Sequence, residues 1–239
     1  LQYLATLARN FSGDGCFLFE NTRVLNVEDG QPCHIHTDRG PLHGHEVLVA
    51  ANVPIPHPFF LHTKIAPHRT YAMASTLNDS WDDDSLFWDT TDPYHYVRTH
   101  SVGERHYLIT GGYDHKTGQE DHTEVSFQKL EDWTREHFEV NSVTHRWSGQ
   151  IINPVDGLPY IGRNSMSDHI YVATGYSGTG MTFGTVAALL CSDLILGIEN
   201  PWEELYSATR VRPFVGALNF ISENVDYPSR LLGDRITPT

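Results

Sequence analysis

The residues best suited to chemistry stand at Gly175-Tyr176-Ser177-Gly178-Thr179-Gly180-Met181-Thr182. They follow the apolar run Tyr171-Val172-Ala173-Thr174 and precede a long apolar stretch ending near Leu196. A strand that stops at glycines and feeds a helix leaves unpaired backbone N–H groups at the positive end of that helix. Glycines let a ligand approach the backbone closely, and anionic or carbonyl oxygens suit such a place. Ser177, Thr179 and Thr182 add hydroxyls. The turn is not a complete dinucleotide fingerprint, because Phe183 stands where the third glycine belongs and no second strand ending in an acidic residue follows. No Gly-Lys-Ser/Thr occurs, so it is not a phosphate-binding P-loop. Taken alone, the stretch also reads as a plain βα turn with glycines for tight packing.

Three further groups could carry function. In Tyr94-His95-Tyr96, strand alternation puts Tyr94 and Tyr96 on one face and His95 and Val97 on the other. This is either a substrate wall or a half-buried strand with aromatic cross-strand partners. Asp114-His115-Lys116-Thr117-Gly118 is either a functional loop or a hairpin turn with a capping Asp. His34 and His36 share a strand face, and His43 and His45 lie beyond the next turn. Two such pairs could meet across a hairpin, but no carboxylate completes a ligand set, so no metal is expected. Met181 and Phe183 could touch a cofactor ring, although Phe183 reads better as helix-to-sheet core. Trp133 and Phe138 read as core of a middle helix. The sequons Asn10-Phe11-Ser12 and Asn78-Asp79-Ser80 carry no weight without a secretion signal.

The elements that must position these groups follow from periodicity. Leu4, Leu7 and Ala8 continue a helical pattern from Leu1, which Gly13 to Gly15 ends. Strands are expected at Cys16–Phe19, Arg23–Val27, Cys33–Thr37 and Glu46–Ala51, with hairpin chemistry at Asp29-Gly30 and Asp38-Arg39-Gly40. The last of these lacks polar alternation and reads as covered on both faces. Pro54, Pro56 and Pro58 mark a crossover. A meander of strands follows at Thr70–Ser75, Leu86–Asp89, His95–His100 and His106–Gly111, with Asp82-Asp83-Asp84 as an exposed turn. Ser126–Phe138 is expected as a helix, Ser142–Trp147 as a strand and Ile170–Ala173 as a buried strand. Met181–Leu196 is apolar nearly all round and reads as a buried helix, and Val215–Val225 as a last helix.

A β-rich middle therefore separates two pieces of one α/β lobe. The expected division is 1–53 and 151–200 for that lobe, 54–150 for the inserted antiparallel sheet, and 201–239 for a tail or linker. The 239 residues carry 30 acidic against 16 basic side chains, a net charge of −14. That balance argues against a nucleic-acid groove and fits solubility. No apolar run reaches a membrane span, and no leader is evident. Cys16, Cys33 and Cys191 form no CxxC pair, so a reducing, cytoplasmic setting is expected. The chain opens at Leu1 in a helical pattern rather than at Met, as a piece of a longer protein would.

The order of motifs adds a family. Trp147-Ser148-Gly149-Gln150, then Asp156-Gly157-Leu158-Pro159-Tyr160-Ile161-Gly162, then the Ile170 strand and Gly175–Gly184 resemble the C-terminal part of the D-amino-acid-oxidase-like FAD-dependent oxidoreductases, which include glycine and sarcosine oxidases. The runs Asp92–Arg98 and Gly111–Gln119 and the tail Asn200-Pro201-Trp202 to Arg210 are similar to one subgroup, in which a Rieske domain follows; Glu223 to Arg235 resembles the linker into it. The resemblance implies a partial FAD-binding α/β lobe with an inserted antiparallel substrate lobe. It implies that Val24 meets the adenine, that Ala50 and Ala51 lie beside the cofactor, and that Gly175, Tyr176, Ser177, Gly178, Thr179, Gly180, Met181 and Thr182 follow the ribityl chain and pyrimidine edge of the flavin. The family's N-terminal GxGxxG unit is absent from these residues, as are Rieske ligands, so any [2Fe-2S] cluster belongs to a domain outside this chain.

In this superfamily the flavin carries the hydride chemistry and needs no acid–base triad. Amino-acid-oxidising members hold the substrate carboxylate with an Arg just after the Trp-x-Gly strand. Here Gln150-Ile151-Ile152 follows, and that clamp is missing. Arg98, Arg69 or Lys116 could replace it. The substrate candidates are thus Tyr94, Tyr96, Arg98, His115, Lys116 and Gln150, facing a small molecule. The competing reading is a cofactor-free remnant or interaction domain.

Overall fold

The computed structural model describes residues 2–11, 13–54, 59–78, 86–118 and 122–211. The Asp82–Asp84 run, the expected helix at Val215–Val225 and the Glu223–Arg235 stretch lie outside the described residues. The fold is mixed α/β with antiparallel sheets.

Helix α1 (Gln2–Phe11) forms where the Leu4–Leu7 pattern places it, but it buries no residue. The expected strand at Cys16–Phe19 does not form. Only a bridge between Gly13 and Cys16 is present, and Phe17, Leu18 and Phe19 are exposed. A strand needs a neighbour to take its amides, and none is beside this run among the described residues.

Strands β1 (Val24–Glu28), β2 (Cys33–Thr37) and β3 (Gly40–Gly44) make an antiparallel meander. Their register runs from Glu28 opposite His34 to Thr37 opposite Gly40. Strand β3 is not among the strands expected from the sequence, which places only the hairpin turn at Asp38-Arg39-Gly40 before it. Proline is tolerated there because β3 lies at the sheet edge.

Strand β4 (Val47–Val49) pairs in parallel with the distant β11, with Val47 opposite Ile170 and Val49 opposite Val172. Between them in the chain come α2 (Phe59–His62), β5 (Ile65–Thr76), β6 (Leu86–Trp88), β7 (Tyr96–Val102), β8 (Arg105–Lys116), α3 (Thr123–His137), β9 (Val143–Pro154) and β10 (Tyr160–Arg163). A parallel pair requires a crossover, and this crossover carries a five-stranded antiparallel sheet, ordered β6-β7-β8-β5-β9. The strand β11 (Ile170–Thr174) is buried at every position, between β10 and β4. Strand β4 is shorter than expected, lies at its sheet's edge and is not covered on both faces, as the exposed Leu48 shows.

Helix α3 packs its Leu130 against Tyr71 and Met73 of β5, with Phe127 alongside. Its buried Thr134 bonds the Thr110 hydroxyl of β8 at 2.9 Å. Helix α4 (Gly180–Leu196) lays Ala187, Leu190 and Cys191 on Ile161, Tyr171 and Ala173. It is not the all-round buried helix its composition suggested: Met181, Leu189, Ile195 and Leu196 remain exposed. A helix is covered only where a neighbour exists, and among the described residues α4 has neighbours on one side. After α5 (Glu203–Tyr206), Arg210 returns to the turn before β10. It binds Asp156 with two nitrogens at 2.7 and 2.8 Å, donates to the Pro159 carbonyl at 2.7 Å, and lies 3.9 Å from the Tyr160 ring centre.

Candidate functional site

The glycine-rich turn is built by backbone strain and small residues. Gly175 has φ +77°, a left-handed conformation that strains a residue with a side chain, so a glycine suits the point where β11 turns away. Ser177 also adopts a left-handed conformation, at φ +50°. Its amide donates to the Ile152 carbonyl at 3.0 Å, which ties the turn to β9. The Thr179 hydroxyl folds back onto the Tyr176 carbonyl at 2.8 Å and makes no cap to α4. The first-turn amides of α4 are left for an outside acceptor. Ser177, Gly178, Thr179, Gly180, Met181 and Thr182 are all exposed, while Gly175 is buried and Tyr176 is half-buried. Burial pushes the Tyr176 phenol up to about 12, with Cys191 adding to it, so it stays neutral.

Opposite this turn, the five-stranded sheet supplies a second wall. A cleft of about 540 Å³ lies between them. From the sheet it is lined by His68, Asp114, His115, Lys116, Ile151 and Asn153; from the approach to β7 by Asp92, Pro93 and Tyr94; and from the turn by Ser177 and Gly178. A Cβ on Gly178 would lie 3.7 Å from the Tyr94 hydroxyl.

Several expected residues therefore meet. Tyr94, His115, Lys116, Ser177 and Gly178 line one cleft. Tyr96 lies across β8, where a Cβ on Gly111 would fall 2.0 Å from its ring. The Thr70 side chain bonds both Tyr96 and Asp114. His95 faces the other way, as strand alternation requires: it is buried, its ring stacks on Trp133 at 4.3 Å, and its Nδ1 bonds Asp89 at 2.7 Å. Val24 packs at the Val27–Cys33–Ile170 cluster, and Ala50 and Ala51 follow β4. Next to them, Asn52 accepts the Thr174 hydroxyl at 2.7 Å and donates to the Gln150 carbonyl at 2.9 Å, joining the end of β4 to β11 and β9.

Other candidates stand apart. Arg98 is exposed on β7 opposite Leu86 and Ile109, and it does not line the cleft. Gln150 is exposed and reaches the Thr117 hydroxyl at 3.3 Å. Arg69 bonds the Ser148 hydroxyl at 2.8 Å. His34 and His43 do meet across their hairpin, with ring centres 4.7 Å apart. Among the described residues no three His, Cys, Asp or Glu side chains gather as metal ligands.

His68, Ile151 and Asn153 were not foreseen. His68 sits opposite Lys116 on β8 and Ile151 on β9. Only the pairing of three strands from distant segments brings it to the cleft. Asn153 donates to His68 Nδ1 at 3.2 Å, and the Tyr71 hydroxyl bonds His115 Nε2 at 2.8 Å. Both rings are thereby oriented. Asp114 is held above the usual carboxylate range by burial, partly offset by the Thr70 hydrogen bond and by His68, His115 and His95.

Among the described residues no helix is long and apolar enough to cross a membrane. The fold is shared with solved oxidases. Glycine oxidase from Geobacillus kaustophilus superposes with a TM-score of 0.67 at 20% identity, over 87% of this chain and 57% of that one. NikD, an unusual amino acid oxidase of nikkomycin biosynthesis, gives 0.65 at 15% identity, over 88% and 60%. L-proline dehydrogenase from P. horikoshii gives 0.62 at 19%, over 87% and 58%. A protein of Bacillus subtilis (strain 168) named as a Rieske 2Fe-2S iron-sulfur protein, YhfW, is 26% identical over 99% of this chain and 47% of its own length. The chain thus spans about half the length of this relative. Residues 1–194 match the family described as DAO, FAD dependent oxidoreductase, and the chain belongs to that family.

Proposed function

We propose that this chain forms the flavin-ring side and the substrate lobe of an FAD-dependent oxidoreductase acting on a small molecule held in the Tyr94–Asp114–Ser177 cleft. The observation that carries this reading is the cleft itself, which sets sheet side chains against an uncapped, exposed helix N-terminus. FAD supplies the hydride chemistry when bound. Residues Gly175 to Thr182 hold its ribityl and pyrimidine side, and the α4 N-terminus favours negative charge at that edge. Val24, Ala50 and Ala51 stand on the cofactor side. Tyr94 narrows the cleft mouth beside Gly178, and Tyr96 backs the wall. His115 and Lys116 offer polar contacts to the substrate. No lining residue is an Arg, so a bidentate carboxylate clamp is lacking among the described lining.

The protein with its preceding residues included is expected to show flavin absorbance bands after purification or reconstitution, and Gly178→Val, which fills the approach to the turn, to retain less than a tenth of the flavin. A protein that stays colourless after reconstitution overturns the reading. In the longer protein we further propose that electrons pass between the flavin and a Rieske [2Fe-2S] cluster in cis. The relative named for such a cluster supports this. Substrate-dependent appearance of the reduced-cluster EPR signal tests it, and its absence from a flavin-loaded, cluster-loaded protein overturns it. The free cysteines Cys16, Cys33 and Cys191 support a reducing, cytoplasmic setting.

A further inference from the structure

The outer face of the β1–β2–β3 meander carries a row of metal-ligating side chains that the flavin reading does not use. Val27 and Ile35 turn inward to the cluster around Cys33 and Ile170. Strand alternation therefore sends Glu28, His34 and His36 outward, and all three are exposed. Register completes the row. Glu28 stands directly opposite His34, and His34 directly opposite His43, which is exposed as well. The Cβ atoms of such cross-strand partners lie only about 4.5–5.5 Å apart. Three adjacent strands thus present a carboxylate and two imidazoles at one level. The carboxylate that was missing from the sequence pattern comes from the neighbouring strand β1.

The two rings are already spaced as ligands. Zn²⁺ takes imidazole nitrogens at about 2.0–2.1 Å in a tetrahedral shell, which sets the centres of two ligating rings about 5 Å apart. The His34 and His43 ring centres are 4.7 Å apart, edge to face. Glu28 is held beside them. Its Oε1 lies 3.3 Å from His36 Nε2 and accepts the Asn26 amide at 3.1 Å. Both contacts use the same oxygen, which leaves Oε2 for another partner. The carboxylate and the two rings do not converge on one point in the conformation observed. Exposed side chains change rotamer within nanoseconds, whereas the paired strands hold the three Cα positions in place.

We infer that His34, His43 and Glu28 bind a divalent transition-metal ion, with Zn²⁺ as the ion that fits two imidazoles, one carboxylate and a water. Imidazole ligands select such ions over Mg²⁺ or Ca²⁺. Binding needs only a turn of the Glu28 side chain toward the rings, and the net charge of −14 favours the approach of a cation. The ion links β1, β2 and β3 through their side chains, so it stabilises the meander against unfolding. The site lies on a different sheet from the cleft and stands or falls without the flavin.

The test is isothermal titration of the protein, free of any affinity tag, with Zn²⁺ and with Mg²⁺. Wild type is expected to take up one Zn²⁺ per chain and no Mg²⁺, and its melting temperature to rise with Zn²⁺. His34→Ala, His43→Ala and Glu28→Gln are each expected to weaken Zn²⁺ binding by at least about tenfold, since even the loss of an outer-shell partner costs about that much. All three positions are exposed, and an unchanged circular dichroism spectrum confirms folding. The double variant His100→Ala, His145→Ala, which removes exposed histidines elsewhere, is expected to bind as wild type does. No Zn²⁺ uptake by wild type overturns the inference. So does full affinity in any of the three variants, or a loss in the double variant equal to theirs, which would mark adventitious binding to surface histidines only.

Discussion

At the scale of single residues, two aspartates on the same sheet sit in opposite electrostatic states. Burial would raise the Asp89 carboxyl, but the His95 amide at 2.8 Å, the His95 ring at 2.7 Å and the Thr91 hydroxyl at 2.9 Å outweigh it and hold the group well below the carboxylate range. A carboxyl whose folded pKa is depressed contributes stability above its unfolded pKa, near 4, and loses it as pH falls through the folded value. Asp89→Ala should therefore cost about 2 kcal/mol at pH 7, the value of hydrogen bonds to a charged group. Urea unfolding should show that difference shrinking below pH 3. Asp114 has the reverse sign. Its raised pKa means that the folded state holds the proton more tightly, so stability is lost as pH rises from the unfolded pKa through the folded one. Asp114→Asn is expected to raise the melting temperature by a few degrees at pH 8 and to leave it nearly unchanged at pH 3. A lower melting temperature at pH 8 would show that the carboxylate stabilises the fold.

At the scale of elements, the Asp156–Arg210 pair decides where the chain after α5 lies. Both side chains are almost wholly buried, and the guanidinium also meets the Leu158, Pro159 and Tyr206 carbonyls. Removing one partner of a buried pair strands the other charge and costs about 3–5 kcal/mol. Arg210→Ala should show that loss by chemical denaturation. Arg210→Lys should recover less than half, because an ammonium cannot reproduce the planar fork. The Asp156-Gly157-Leu158-Pro159 run stands out in the sequence as a motif, but its partner Arg210 stands more than fifty residues later and is not marked as such. The legibility of the glycine turn is of another kind. Gly175, Ser177 and Gly178 are local in sequence, and a strand-to-helix turn needs little beyond local geometry. His68 and Asn153 were illegible because their shared cleft exists only after β8, β5 and β9 pair in one register.

At the scale of the whole molecule, apolar surface is distributed unevenly. Tyr3, Leu4, Leu7 and Phe11 of α1 and Met181, Leu189 and Leu196 of α4 are exposed, while Leu190 is fully buried. Replacing Leu4 and Leu7 together by Gln should change the unfolding free energy of this chain by less than about 0.5 kcal/mol, as for other exposed sites. Leu190→Ala should cost about 2–5 kcal/mol. A large loss from the α1 pair in equilibrium unfolding would mean that α1 packs on the fold in solution. The shared fold with glycine oxidase and NikD extends over 87% and 88% of this chain. It therefore constrains architecture, while the cleft's chemistry depends on side chains that fold similarity does not specify.

The sequence by itself determined the mixed α/β class, the buried strand at Ile170, the glycine-rich turn into α4 and the family to which these belong. The family came from the resemblance of whole motifs in order along the chain; the others rest on composition or spacing within a short stretch, where backbone preference and hydrophobic period dominate. Tertiary structure alone decided which polar groups converge. It placed His68, Asp114 and Lys116 on one wall and left Arg98 outside it, because cross-strand register, and not sequence distance, sets which side chains face a common space. It also decided that, among the described residues, α4 is covered on one side, since burial depends on a neighbour being there and an apolar sequence cannot supply one.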